Sequence, residues 1–185
     1  MLRADRWVML PLAVATIVAA TMPRPAAAAS GAEIRRDASA ALRDLYATAP
    51  AAKMLSQRAS GILVFPHMIK AGFMFGGQMG EGALFKGGKV TGYYNSVAAS
   101  YGLQAGAQKF GYALFFMNNA ALAQLDSTKG FEVGVGPSVV VVDKGVGKSM
   151  TSNTVTSDVY AFIFSQKGLM AGLGVQGSKI TRISK

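Results

Sequence analysis

The stretch from Ala59 to Phe85 most constrains what this chain can fold into, because it mixes large apolar residues with glycine. It opens with the apolar run Ile62–Phe65 and continues past Pro66 with glycines at positions 72, 76, 77, 80 and 82. A glycine costs about 1 kcal/mol inside a helix, whereas in a strand it marks a bulge, a bend or a close backbone approach. The pattern therefore predicts two or three short strands that bend hard around one another.

The same mixture of apolar residues and glycine returns later in the chain, at residues 101–110, 131–137 and 168–177. Repeated strands with regular glycines are typical of a strongly curved antiparallel sheet, since flat sheets of this length neither close nor pack well. The sequence predicts an α+β domain in which N-terminal helices pack on a curved, Gly-rich antiparallel sheet. The sheet is expected to resemble a barrel or a sandwich.

Two helices are predicted before the first strand. Between Gly31 and Thr48, apolar residues recur at helical spacing, at positions 34, 38, 42 and 45, and so form one stripe along a helix. A second, shorter helix is predicted from Pro50 to Arg58, because proline is tolerated in a first turn and Thr48 can cap it. Both helices are expected to pack against the sheet.

The segments that follow are read as strands and turns. Lys86-Gly87-Gly88-Lys89 is predicted to be a tight hairpin turn, and a short helix is expected after Asn118. Two further strands are predicted at 101–108, from its alternation, and at 111–117, from its continuous apolar run. The chain is predicted to end in a hairpin whose strands, 158–165 and 169–183, are joined by a turn at Gln166–Gly168.

The first 29 residues have the composition of a secretory signal peptide. Arg3 and Arg6 precede an apolar segment, and the small residues at 26–29 suit a cleavage site near Ser30. An uncleaved N-terminal anchor is the alternative, whereas the absence of cysteine excludes a lipoprotein anchor. We therefore expect residues 30–185 to form one exported domain, periplasmic or secreted.

The mature domain is expected to be strongly basic. Removing residues 1–29 takes three arginines and one aspartate from a formal net charge of +10, which leaves +8. Outside the cytoplasm such a surface suits anionic lipid head groups, other polyanions or an acidic protein. The alternative is that the charge only keeps an apolar protein soluble.

The residues needed for most enzyme chemistry are missing. Cysteine is absent and His67, which the sequence places in a turn after Pro66, is the single histidine. The loop at 145–149 reads Gly-Val-Gly-Lys-Ser, but the first glycine that a phosphate loop requires is Val142 here. With no clustered metal ligands either, neither an enzyme nor a cofactor is predicted, and no nucleic-acid partner is expected.

Several segments together resemble the SYLF domain, also called the Ysc84-type actin- or lipid-binding domain, in its exported bacterial form. They are Gly61–Pro66 with Gly72-Phe73-x-Phe75-Gly76-Gly77, Gln104–Gln108, Gly134–Pro137 and Phe164–Gly172. Eukaryotic relatives bind phosphoinositide membranes and regulate actin, so the resemblance implies a non-enzymatic lipid-binding module that is peripherally membrane-associated. An actin partner is not expected, because actin is unavailable to most exported bacterial proteins.

Three hypotheses follow for the function. The first is binding of anionic phospholipid through basic residues near the helix–sheet junction and in loops, namely Lys53, Arg58, Lys70, Lys86, Lys89, Lys144 and Lys148. The second is a structural or protein-interaction module of the cell envelope, with a protein partner or self-association through exposed strand edges. The third is a hydrolase that uses His67 with Asp143 or Asp158.

Overall fold

The computed structural model describes residues 29–127, 130–133, 138–142, 155–168 and 177–185. The elements in these ranges are α1 (Gly31–Thr48), α2 (Pro50–Ser56), β1 (Gly61–Lys86), β2 (Lys89–Phe116), α3 (Asn119–Ala123), a 3₁₀ turn (Gln124–Asp126), β3 (Phe131–Glu132), β4 (Val139–Val142), β5 (Val159–Gly168) and β6 (Lys179–Ile183). The predicted α+β class, with N-terminal helices on a curved sheet, is confirmed.

Helix α1 has the predicted bounds, and its start is explained by a capping box. The hydroxyl of Ser30 accepts a hydrogen bond from the backbone N–H of Glu33, at 3.3 Å. The carboxylate of Glu33 in turn accepts one from the backbone N–H of Ser30, at 2.8 Å. Two helix-terminal donors are satisfied in this way. Ile34, Ala38 and Leu45 of the apolar stripe are buried.

Helix α2 is shorter than predicted, and Thr48 does not cap it. Ala49 stands at the capping position without a side-chain hydrogen bond, because the hydroxyl of Thr48 donates instead to the carbonyl oxygen of Asp44, at 2.9 Å. Pro50 still opens the first turn, where its missing N–H costs nothing. The buried side of the helix includes Leu55.

Strands β1 and β2 form a single long hairpin whose turn was correctly predicted. Gly87 and Gly88 both have positive φ, at 54° and 76°, as both central residues of a type I′ hairpin turn must. The prediction of separate short strands was wrong, because β1 and β2 run for 26 and 28 residues. Register shifts between Phe65 and Met68 and again between Phe73 and Phe75 let the strand bend without ending.

Strand β2 is the centre of the sheet. It pairs along one edge with β1 and along the other with β6, over residues 93–97, and with β5, over residues 108–116. Strand β3 pairs with β6, and β4 pairs with β5 in parallel, which is the one departure from the predicted antiparallel sheet among the described strands. The predicted final hairpin was wrong, because Gln166–Gly168 continues β5 and β6 pairs with β2 and β3.

The sheet curls around one apolar core and carries a second on its other face. The inner core includes Phe65, Tyr112 and Phe116, against which α3 packs. The helix-side core joins α1 and α2 to apolar residues of the sheet. None of the described helices is both long and apolar enough to span a membrane.

Candidate functional site

One face of α1 is only partly covered by the rest of the protein. Asp37, Ala40, Ala41 and Asp44 follow one another at helical spacing and therefore share that face, and all four line a cleft beside the sheet. Because the two alanines project only a methyl group, they leave space between the helix and the strands at this point. The face thus presents two carboxylates separated by free space.

The opposite wall of this cleft, which we call the α1 cleft, comes from three strands of the sheet. Its volume is about 420 Å³, within the usual range for ligand sites. Its lining residues from the sheet are Pro66, His67, Met68 and Ile69 of β1, Lys109 and Phe110 of β2, and Phe164, Ser165 and Lys167 of β5. Apolar and cationic side chains therefore face the acidic helix.

Lys109 and Lys167 are direct cross-strand partners in the β2–β5 ladder. Side chains in such positions have Cβ atoms about 5 Å apart, and like charges there are destabilising. Both lysines are exposed, and within the described part of the chain neither forms an ion pair with a carboxylate. Ile69, which is 47% exposed, is the cross-strand partner of Lys109 on β1.

Asp37 is the more constrained of the two carboxylates. One oxygen accepts a hydrogen bond from Nε of Arg36, at 2.9 Å, and the other lies 3.3 Å from Nε2 of His67. The Arg36 hydrogen bond is the main reason that the pKa of Asp37 is lowered, and His67 adds to it. Contrary to the prediction, His67 lies within β1 rather than in a turn, because the bulge next to it accommodates Pro66.

Ser165 contributes local backbone strain to the cleft. Its φ is 51°, and it is the only non-glycine residue with positive φ among those described. A side chain in the left-handed region costs about 1–3 kcal/mol, and such residues cluster at ligand sites. The strained residue lies two positions before Lys167.

Residues 97–185 match the family model described as "Ysc84: Las17-binding protein actin regulator". This part of the chain belongs to the Ysc84 (SYLF) family. No curated protein matches the chain. The Ysc84 match includes Lys109, Phe164, Ser165 and Lys167, so that it contains the cationic wall of the α1 cleft, whereas the helix that supplies the acidic wall precedes it.

Of the basic residues predicted for lipid binding, those that the structure describes do not line the α1 cleft. Lys53 and Arg58 are exposed on and after α2, and Lys86 and Lys89 are exposed at the hairpin turn, where they are cross-strand partners. Lys144 and Lys148 lie outside the described residues. Sequence reasoning missed Lys109 and Lys167 because only the pairing of β2 with β5 brings them together.

Lys70 differs from the other predicted lysines because it is only 6% exposed. It lies two positions after Met68 of the inner core, and so points to the same side of β1. Its cross-strand partner Gln108 is also 6% exposed. Buried polar residues therefore accompany the apolar core, and Gln78 and Ser178 form a buried hydrogen bond of 2.7 Å.

The groups named in the hydrolase hypothesis are engaged elsewhere. Asp158 accepts hydrogen bonds from the side-chain amide of Asn118, at 2.8 Å, and from the backbone N–H of Ser138, at 3.2 Å. Both hydrogen bonds lower the pKa of Asp158, and the one from Asn118 has the larger effect. His67 contacts Asp37 instead, and Asp143 lies outside the described residues. Within the described ranges, no cluster of acidic residues and histidine is suited to hold a metal ion.

Proposed function

We propose that this Ysc84-family protein binds anionic phospholipid at a membrane surface and catalyses no reaction. The observation that carries the proposal is the Lys109–Lys167 pair at the mouth of the α1 cleft. Two lysines that are cross-strand partners and have no carboxylate partner in the described part of the chain suit a phosphate group, which would relieve their mutual repulsion. The nearby apolar side chains of Ile69 and Phe164 suit the apolar part of a lipid.

The energies are consistent with a weak, reversible attachment. A lysine near an anionic membrane surface is worth about 1 kcal/mol, so the cleft pair supplies about 2 kcal/mol, or roughly a 30-fold gain in affinity. Lys53, Arg58, Lys86 and Lys89 are exposed and add to the attraction over a longer range. We leave Lys70 out of this surface because its side chain is buried.

The proposed place of action is the outside of the cytoplasmic membrane. The signal-peptide composition of residues 1–29 and the remaining charge of +8 support export, followed by peripheral attachment to lipid. A lipid partner fits such a location better than the actin regulation named in the family description.

Co-sedimentation with vesicles tests the proposal. The protein is expected to pellet with vesicles that contain phosphatidylglycerol or cardiolipin and to remain in solution with neutral phosphatidylcholine vesicles. Equal pelleting with both kinds of vesicle, or with neither, would contradict it.

A second candidate function is a protein-interaction module of the cell envelope, and one observation favours it. Met79 and Val97 are cross-strand partners whose side chains are 62% and 45% exposed. An exposed apolar pair on a sheet surface suits a protein contact. Val97→Glu should then abolish self-association, measured by analytical ultracentrifugation, while leaving vesicle binding unchanged.

A further inference from the structure

The aspartates on one wall of the α1 cleft do not pair with the lysines on the other. Asp37 and Asp44 lie on α1, and Lys109 and Lys167 lie on the sheet. Asp37 and His67 meet across the cleft at 3.3 Å, but neither lysine forms an ion pair with either aspartate within the described part of the chain. The cleft therefore keeps unpaired groups of both signs on either side of one space.

The two carboxylates are not equivalent. Asp37 is compensated by Arg36 and hydrogen-bonded to His67. Asp44 has no side-chain hydrogen bond or ion pair within the described residues. Its carboxylate is therefore the acceptor available to a ligand on the helix side, opposite the two lysines.

The charges decide which head group fits. With Asp37 neutralised by Arg36, two lysines and one carboxylate leave a net charge of about +1 in the cleft at neutral pH. A phosphodiester with an uncharged head group carries one negative charge and matches it. A phosphomonoester carries more negative charge and is repelled by Asp44, whereas a zwitterion leaves the excess positive charge unbalanced.

From this arrangement we infer that the α1 cleft selects a phosphodiester lipid whose head group carries hydroxyl groups. The phosphate lies between Lys109 and Lys167, and a head-group hydroxyl donates a hydrogen bond to Asp44. The inference rests on the proposed lipid binding and adds the chemical class of the head group. Glycerol is the simplest head group of this kind.

The test compares vesicles of equal surface charge that contain phosphatidylglycerol, phosphatidylmethanol, which is a phosphodiester without a head-group hydroxyl, or phosphatidic acid in neutral lipid. The protein should bind the phosphatidylglycerol vesicles about tenfold more tightly than the others, because a hydrogen bond to a charged group is lost without the hydroxyls. Soluble glycerophosphoglycerol should compete for this binding, whereas free inorganic phosphate at the same concentration should compete less.

Two variants separate the hydrogen bond from bulk charge. Asp44→Ala should remove the preference for phosphatidylglycerol and improve binding to phosphatidic acid. Glu132→Ala is the matched control, since Glu132 is exposed on β3, lies outside the cleft and changes the net charge equally. Glu132→Ala should keep the preference for phosphatidylglycerol.

Two results would overturn the inference in different ways. Equal affinity for all three anionic vesicles, with Asp44→Ala behaving like Glu132→Ala, would leave lipid binding intact and refute the head-group selection. Failure to bind any anionic vesicle would refute the proposed function and this inference with it. A preference for neutral vesicles rich in phosphatidylethanolamine would also refute it, in favour of a zwitterionic ligand.

Discussion

Lys109 and Lys167 lie directly opposite each other on neighbouring antiparallel strands, and both line the cleft beside α1. Neither lysine has a carboxylate partner in the described part of the chain. Folding brings these two positive charges together at a cost, which a bound anion would offset. This relationship underlies the predictions on binding and on stability.

Replacing one member of the lysine pair should stabilise the fold. Lys167→Gln removes a like-charge contact that costs up to about 1 kcal/mol, so the free energy of unfolding should rise by a few tenths to about 1 kcal/mol. The gain should shrink at high salt, where the repulsion is screened. Urea denaturation measures it, with Lys53→Gln on α2 as the control. A loss of stability equal in both variants would contradict the prediction.

Replacing both members should weaken vesicle binding. Lys109→Gln with Lys167→Gln should lower the affinity for phosphatidylglycerol vesicles by about 30-fold, since each lysine contributes about 1 kcal/mol. Lys86→Gln with Lys89→Gln is the matched comparison, because these lysines are also cross-strand partners but lie at the hairpin turn. If both double variants lost the same affinity, binding would depend on net charge and not on the cleft.

Much of the fold could be predicted from local patterns. Helix α1 and the Gly87–Gly88 turn have strong local signals, namely an apolar stripe and two adjacent glycines between strands. The long strands could not be predicted, because Pro66 usually ends a strand. Here a bulge beside Pro66 lets the strand continue. Whether it continues depends on packing against the rest of the sheet, which the local sequence does not show.

The candidate site was less accessible to sequence reasoning. Lys109 follows an alternating strand and the local pattern predicts a turn at Lys167, so nothing local indicates that the two lysines are neighbours. Their contact depends on the register between β2 and β5, which the fold as a whole sets. Asp37 and Asp44 could be placed on one helix face, but the alanines between them gave no indication of a cleft.

The carboxyl group of Asp37 should titrate below its usual range. Because its pKa is lowered in the folded state, the contacts with Arg36 and His67 stabilise the fold above the usual aspartate pKa of 3.8. This contribution is lost as the pH falls through the lowered value. Arg36→Ala should raise the pKa of Asp37, and His67→Ala should raise it less. Carbon-13 NMR titration measures both, and an unchanged midpoint in Arg36→Ala would contradict the assignment.

The close approach of the two halves of β1 can be tested with glycine substitutions. A Cβ atom at Gly82 would meet the carbonyl oxygen of Val64 and, at 2.7 Å, an aromatic carbon of Phe65. Gly82→Ala should therefore lower the free energy of unfolding by about 1–3 kcal/mol.

Gly77→Ala is the matched control, because a Cβ atom there would lie 3.6 Å from its nearest neighbour, the carbonyl oxygen of Ala98. It should leave the urea midpoint almost unchanged. If Gly82→Ala were equally well tolerated, β1 would not fold back on itself as closely as described.

The most direct test of the central claim is the salt dependence of vesicle binding, measured for the wild-type protein and for the Lys109→Gln, Lys167→Gln double variant. We predict that the wild type binds phosphatidylglycerol vesicles at low salt and loses affinity steeply as salt screens the charges. The double variant should bind more weakly and depend less on salt. Coincident curves for the two proteins, or wild-type binding that salt does not weaken, would contradict the account.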